Sequence, residues 1–211
     1  TPAEAPALIR VRGFRDRPVR PRPKHRVQPP ILVSHDHQDV ATWAPAWRGR
    51  HVVAVCQKGL KLSEGVAAWL RHEGASAESL EGGFLAWAAA GLPLVSADAV
   101  PERDARGRTL WVTRARPKVD RIACPWLIRR FVDPAAIFLF VSPAEVAAVA
   151  DRFGATPFDI EGVFWSHRGE GCTFDTMLEE FWLSTPALAR LATIIRGADT
   201  GRLDLAPECA G

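Results

Sequence analysis

No apolar run in this 211-residue chain approaches the ~20 residues needed to cross a bilayer, and the amino terminus lacks the hydrophobic core of a signal peptide. Cysteine is scarce. Cys56, Cys124, Cys172 and Cys209 lie far apart with no paired spacing of the zinc-ribbon or thioredoxin kind, which argues against a disulfide scaffold. Free thiols persist in a reducing compartment, so the expected location is the cytoplasm, in soluble form. There is no internal repeat and no low-complexity tract beyond a Pro/Arg stretch at 13–30. Net charge is small, +3 with pI ≈ 8.9, too little to demand nucleic acid as a partner. Residues 1–50 hold ten Lys/Arg against four Asp/Glu, a solvated face or a patch that attracts anions. Eight tryptophans could stack bases beside arginines. Trp69, Trp87, Trp126 and Trp182 lie among hydrophobic residues of helical segments, however, and core packing is the better account. Neither nucleic acid nor a membrane is therefore expected as a partner.

What the sequence does contain is concentrated first at His51–Ser63, HVVAVCQKGLKLS. Val52–Val55 is short and rich in β-branched residues, the pattern of a buried strand. Ser63 can cap a following helix with Val66, Ala67, Trp69 and Leu70 at helical spacing. Cys56 thus ends a strand and opens a loop over residues 57–62. Helix amides, loop amides, Lys58 and Lys61 would place a thiol in a positive field that lowers its pKa and holds an oxyanion. Gly59 permits the sharp turn. The competing reading is a small buried core cysteine.

From Val52 through VVAVCQKGLKLSEGVAAWLRHEG and ASAESLEGGFLAWAAAGLPLV to Val95, the chain resembles the second half of a rhodanese sulfurtransferase domain. Cys56 and Gly59 match the persulfide loop, and Leu80, Gly82, Gly83, Trp87, Gly91 and Pro93 match the closing strand and helix. Ala7–Arg12 resembles an early strand of that family, with Arg10 where an aspartate is common. Lys61 stands at the usual arginine position, and Leu62 where serine or threonine is frequent. The resemblance implies a parallel sheet flanked by helices, Cys56 as nucleophile, and Gln57, Lys58, Gly59, Leu60, Lys61, Leu62 and Ser63 as the substrate-binding loop. It also implies a sulfane donor such as thiosulfate, a thiol acceptor, and no cofactor for the transfer step.

Upstream of that loop, prolines at 18, 21, 23, 29 and 30 break regular structure. Ser34–Arg48 reads as a short helical segment through Val40, Trp43, Ala44 and Trp47, with His35, Asp36 and His37 as weak candidate ligands. A polar stretch at 98–108 reads as a linker between domains at 1–97 and 109–211. In the second half, Thr109–Thr113 and Ile137–Val141 read as strands, the latter buried. Ser142-Pro143-Ala144-Glu145 combines a capping box with proline at the first turn. Phe158–Ile160 and Val163–Trp165 look extended, and Thr173–Trp182 and Pro186–Arg196 look helical. The expected class there is α+β, rich in helices.

Residues 111–210 resemble the carboxyl-terminal domain of chromate-resistance (ChrB-like) proteins. The similarity rests on Arg116–Phe131, Thr156–Ile160, Ser166–Gly169, Cys172–Asp175 and Arg196–Thr200. It implies a role in chromate resistance, with chromate or another oxyanion as partner. The residues themselves leave three arrangements open. Lys118, Arg121, His167 and Arg168 could bind an oxyanion. Asp120, Cys124, Asp159, His167, Cys172 and Asp175 are residue types that hold a metal ion. An internal ion-pair network, with Arg121 and Arg168 against Asp120 and Asp159, is the third. Two functions follow: a sulfurtransferase fused to a chromate-resistance domain, or an oxyanion- or metal-binding regulator whose rhodanese-like part is inactive.

Overall fold

The structure, a computed structural model, describes residues 7–12, 27–28 and 32–210. The chain divides between Leu94 and Val95 into two units, both mixed α/β with small parallel sheets. Among the described residues no helix is long and apolar enough to cross a membrane. The Pro/Arg stretch lies outside the described residues, apart from the two-residue strand β2 (Val27–Gln28).

In the first unit, β1 (Ala7–Arg12), β3 (Leu32–Asp36), β4 (His51–Val55) and β5 (Ser76–Ser79) form one sheet in the order β3-β1-β4-β5. Every pairing is parallel, and helices supply crossovers of the kind parallel neighbours require. Helix α1 (Val40–Trp43) runs into a 3-10 turn, Ala44–Trp47. Helix α2 (Lys61–His72) follows β4, and α3 (Gly83–Ala89) follows β5. Val52, Ala54, Val66, Ala67, Leu70 and Ala77 make the core.

Several sequence expectations are corrected here. Ser34–Asp36 belongs to a strand, not to the helical segment, which starts only at Val40. In that strand the His35 ring stacks on Trp43 with centroids 4.4 Å apart, a packing role that local spacing does not reveal. Leu80 lies just past β5, and its amide bonds Ala54 O. Helix α2 starts before Ser63, so its N-cap is Leu60.

The second unit alternates β6 (Val95–Ser96), β7 (Leu110–Arg114), α4 (Val119–Leu127), β8 (Ile137–Val141), α5 (Val146–Phe153) and β9 (Thr156–Pro157). It ends on α6 (Thr173–Phe181) and α7 (Pro186–Thr200). Its three-stranded sheet, β8-β7-β9, is parallel, so strands and helices alternate rather than segregate as an α+β class would have them. Residues 98–108 lie in this unit, where Arg103 Nη1 sits 3.1 Å from the buried Asp133 Oδ2. Strand β8 is only half-buried because it is a sheet edge. Pro125 lies well inside α4 rather than near its first turn. It removes one helical N–H bond, and a wider π turn follows at Ile128–Val132. The capping box of Ser142 and Glu145 is formed, with Oγ and Oε2 2.6 Å apart.

The core holds Trp111, Leu127, Ile128, Phe158, Trp165, Phe174 and Phe181, with the Trp165 and Phe181 rings stacked at 4.8 Å. Core tryptophans are thus Trp111 and Trp165. Trp69, Trp126 and Trp182 are more than 40% exposed, which corrects their assignment to the interior.

Candidate functional site

Two places gather chemistry-bearing side chains, one in each unit. In the first, β4 delivers Cys56 at its carboxyl end, where ligands of open parallel sheets gather. The turn into α2 wraps amides around the sulfur. Cys56 Sγ lies 3.2 Å from Ser63 Oγ, and Ser63 Oγ is 3.1 Å from Leu60 O. Burial pushes the thiol pKa up. Bonds from the Ser63 hydroxyl and from the amides of Ser63, Leu60 and Lys58 outweigh it, so the net shift is downward. The charges of Lys58 and Lys61 are not among the causes; backbone dipoles and one hydroxyl set the field. Ser63, one turn into α2 rather than its cap, thereby acts on the sulfur. A hydroxyl has one proton to give. With Cys56 protonated it can donate to Leu60 O while accepting from the thiol; with Cys56 ionised it can turn and donate to sulfur.

Two glycines hold this loop against the next turn. A Cβ on Gly59 would meet Leu80 O at 2.3 Å, and one on Gly83 would meet Cys56 O at 2.3 Å. Both have positive φ, +66° and +59°. Across this contact the amides of Phe84 and Leu85 donate to the carbonyls of Cys56 and Gln57, at 3.0 and 3.1 Å. Gln57, Lys58, Gly59 and Leu60 thus form the turn after Cys56, and Lys61, Leu62 and Ser63 open α2. Arg10 is in β1.

In the second unit, four side chains from four places in the sequence converge. Asp120 comes from the first turn of α4, Asp159 from just after β9, His167 from the loop before α6, and Asp199 from the last turn of α7. His167 Nε2 lies 3.3 Å from Asp120 Oδ2, 3.4 Å from Asp159 Oδ1 and 3.2 Å from Asp199 Oδ2. Asp120 is fully buried, and its carboxylate accepts from the α6 amides of Thr173 at 2.6 Å and Phe174 at 3.4 Å. Its pKa is raised to about 6, by burial first and then by the Asp199 charge, against lowering bonds from Cys172 and Thr173, with Asp159 adding to the rise. Asp159 takes up a left-handed backbone, φ +51°, which asparate tolerates better than most residues. It accepts from Thr173 Oγ1 at 2.9 Å and pairs with Arg121 Nε at 3.3 Å. Arg114 Nη2 lies 3.2 Å from its carbonyl oxygen.

The other sequence candidates do not reach His167. Asp175 caps α6 by accepting from Cys172 N and pairs with Arg196. The thiols of Cys124 and Cys172 are buried; burial, reinforced by the Asp120 charge, pushes both pKa values up and keeps them protonated. Of the proposed oxyanion set, Arg121 is engaged with Asp159, and Arg168 pairs with Glu180 and stacks on Phe164 at 4.6 Å. Lys118 is the N-cap of α4 and makes no side-chain cap bond. Those cations do not converge. The ion-pair expectation holds for Arg121 with Asp159, whereas Arg168 chooses Glu180. Asp199 was absent from the sequence-derived ligand set. An acid in the last turn of α7 opposes the helix dipole, and that misfit was its legible signal.

Residues 111–211 match the family model "ChrB, C-terminal domain". The ChrB-like part is therefore the one that carries Asp120, Asp159, His167 and Asp199. A curated relative, Protein ChrB of Cupriavidus metallidurans, is 40% identical over 116 residues, covering 53% of this chain. The match spans 34% of that relative's length, so the two chains share this portion and not the whole.

Proposed function

We propose that this protein is a sulfurtransferase of chromate resistance, with Cys56 as its nucleophile and the ChrB-like unit tying it to that role. The observation that carries the reading is the cradle around Cys56 Sγ: one hydroxyl and three amides that favour the thiolate over the thiol. A thiolate held by oriented amides at a strand end is equipped for covalent sulfur transfer.

The Cys56 thiolate attacks the outer sulfur of thiosulfate. A Cys56 S–S bond forms, the donor S–S bond breaks, and sulfite leaves with the bonding pair. The persulfide anion then occupies the space that the amides of Lys58, Leu60 and Ser63 line. A thiolate acceptor attacks its outer sulfur, receives it as a new persulfide and returns Cys56 as thiolate. Two half-reactions through one covalent intermediate require ping-pong kinetics. In a cell exposed to chromate, the persulfide products are reductants, and this links the first unit's chemistry to an oxyanion challenge.

Intact-protein mass spectrometry after thiosulfate treatment tests the reading. The expected result is the mass of one added sulfur on the wild-type chain and none on Cys56→Ser. An unchanged wild-type mass, or the same gain in the variant, would remove the assignment.

A further inference from the structure

We propose that Asp120, His167 and Asp199, with Asp159 beside them, form a site for a divalent transition-metal ion of zinc type in the ChrB-like unit. His167 Nε2 has room for one good hydrogen bond. Three carboxylate oxygens from three separate segments nevertheless surround it at 3.2, 3.3 and 3.4 Å, all longer than the ~2.7–2.9 Å of a charge-assisted N–H···O bond. Near-equal spacing without a short member is poor hydrogen-bond geometry. Each separation instead matches the ~3.3–3.4 Å between two ligand atoms of a tetrahedral ion with bonds of ~2.0–2.1 Å. Donor atoms of Asp120, His167 and Asp199 all lie within 4.8 Å of one another.

Charge and support point the same way. Asp159 has two guanidinium groups beside it, Arg121 at 3.3 Å and Arg114 at 3.9 Å. Asp199 Oδ1 lies 3.5 Å from the Asp120 amide and both carboxylates reach His167 Nε2, so a cation would relieve their repulsion. Two carboxylates of the cluster are also held from behind, as outer-shell partners hold metal ligands. Asp120 is fixed by the Thr173 and Phe174 amides, Asp159 by Thr173 Oγ1 and Arg121. A further observation is independent of the carboxylates. Thr113, fully buried, has an Oγ1 without a hydrogen-bond partner among the described residues. It follows Trp111 by two residues, so it shares the sheet face that packs on Cys124 and Phe174. At the carboxyl end of β7 it offers a polar group that the protein itself does not use. One imidazole with carboxylates suits zinc, manganese or iron(II) over copper(I).

This site is independent of the Cys56 reading: either can fail alone. Isothermal titration of the full chain with Zn2+, paired with visible spectra of the Co2+-loaded protein, tests it. The expected result is one equivalent bound, a tetrahedral Co2+ spectrum without the thiolate charge-transfer band, and at least ~10-fold weaker binding in Asp199→Asn and in His167→Ala. Circular dichroism establishes that each variant is folded. Should His167→Ala unfold, Asp199→Asn decides, since its side chain is partly exposed at the end of a helix. No binding to the wild type, equal binding to Asp199→Asn, or a cobalt–thiolate band would overturn the proposal. In the first two cases the cluster is an internal ion-pair network; in the third the metal sits on a cysteine.

Discussion

At Cys56 the outcome turns on one competition. Burial favours the thiol and four hydrogen bonds favour the thiolate; the bonds prevail. Ser63 supplies the one side-chain bond among them. Its pKa being lowered, Cys56 alkylation by iodoacetamide should titrate with a midpoint below the ordinary thiol value, and the thiolate fraction at neutral pH should exceed that of free cysteine. In Ser63→Ala the midpoint should rise, and persulfide formation should slow on the order of tenfold, the worth of one hydrogen bond to a charged group. A pH-rate profile of alkylation for both proteins checks this; coincident profiles would show that Ser63 does not act on the sulfur. The place of Cys56 at a strand end was legible, because a cysteine ending a β-branched run and followed by a glycine loop is a local pattern. Ser63's contact with sulfur was not. Reading Ser63 as a cap placed its hydroxyl on helix amides, whereas the earlier start of α2 turns it back toward Cys56.

The element that carries the first site is the pair of turns Cys56–Leu60 and Leu80–Gly83, pressed together with no room for side chains. Gly83→Ala would bring a methyl group against Cys56 O and force a left-handed alanine. The backbone conformation alone costs about 1–2 kcal/mol, and displacement of the loop adds to it. Gly91, φ +64° with open space around its Cβ position, isolates the conformational part. Thermal unfolding should show a larger loss in Gly83→Ala than in Gly91→Ala, and only the former should raise the midpoint of Cys56 alkylation. Equal losses would mean that the turn contact is not what holds the thiol. Gly59 reads as a turn residue in the sequence, but its approach to Gly83 links residues 24 apart and no local pattern encodes it. The same limit explains β8, whose apolar run reads as a buried strand; its position at the sheet edge is a property of strand order. It explains Trp126 and Trp182 as well. Apolar neighbours in sequence do not say which side of a helix faces the core.

On the scale of the whole chain, two units with separate hydrophobic cores carry one proposed site each. Residues without shared partners behave additively. Cys56→Ser should therefore leave Zn2+ affinity at the Asp120–His167–Asp199 cluster within about twofold of wild type, and Asp199→Asn should leave thiosulfate-dependent persulfide loading equally unchanged. Titration of the first variant and mass spectrometry of the second measure this directly. A loss of persulfide loading in Asp199→Asn would show the sites to be coupled.

The amino-acid order by itself determined the strand-Cys-loop-helix around Cys56, the capping box at Ser142, and the ChrB-like character of the second half. Each of these is written in contiguous residues, through periodicity, turn chemistry and motif. Only the tertiary structure decided which polar residues meet. It set Asp199 beside His167, turned Asp175 away to Arg196, and gave Arg168 to Glu180. Asp120 and Asp199 are separated by 79 residues, and their approach depends on how α4, α6 and α7 pack, since side-chain chemistry at one position carries no record of the distant position it will face.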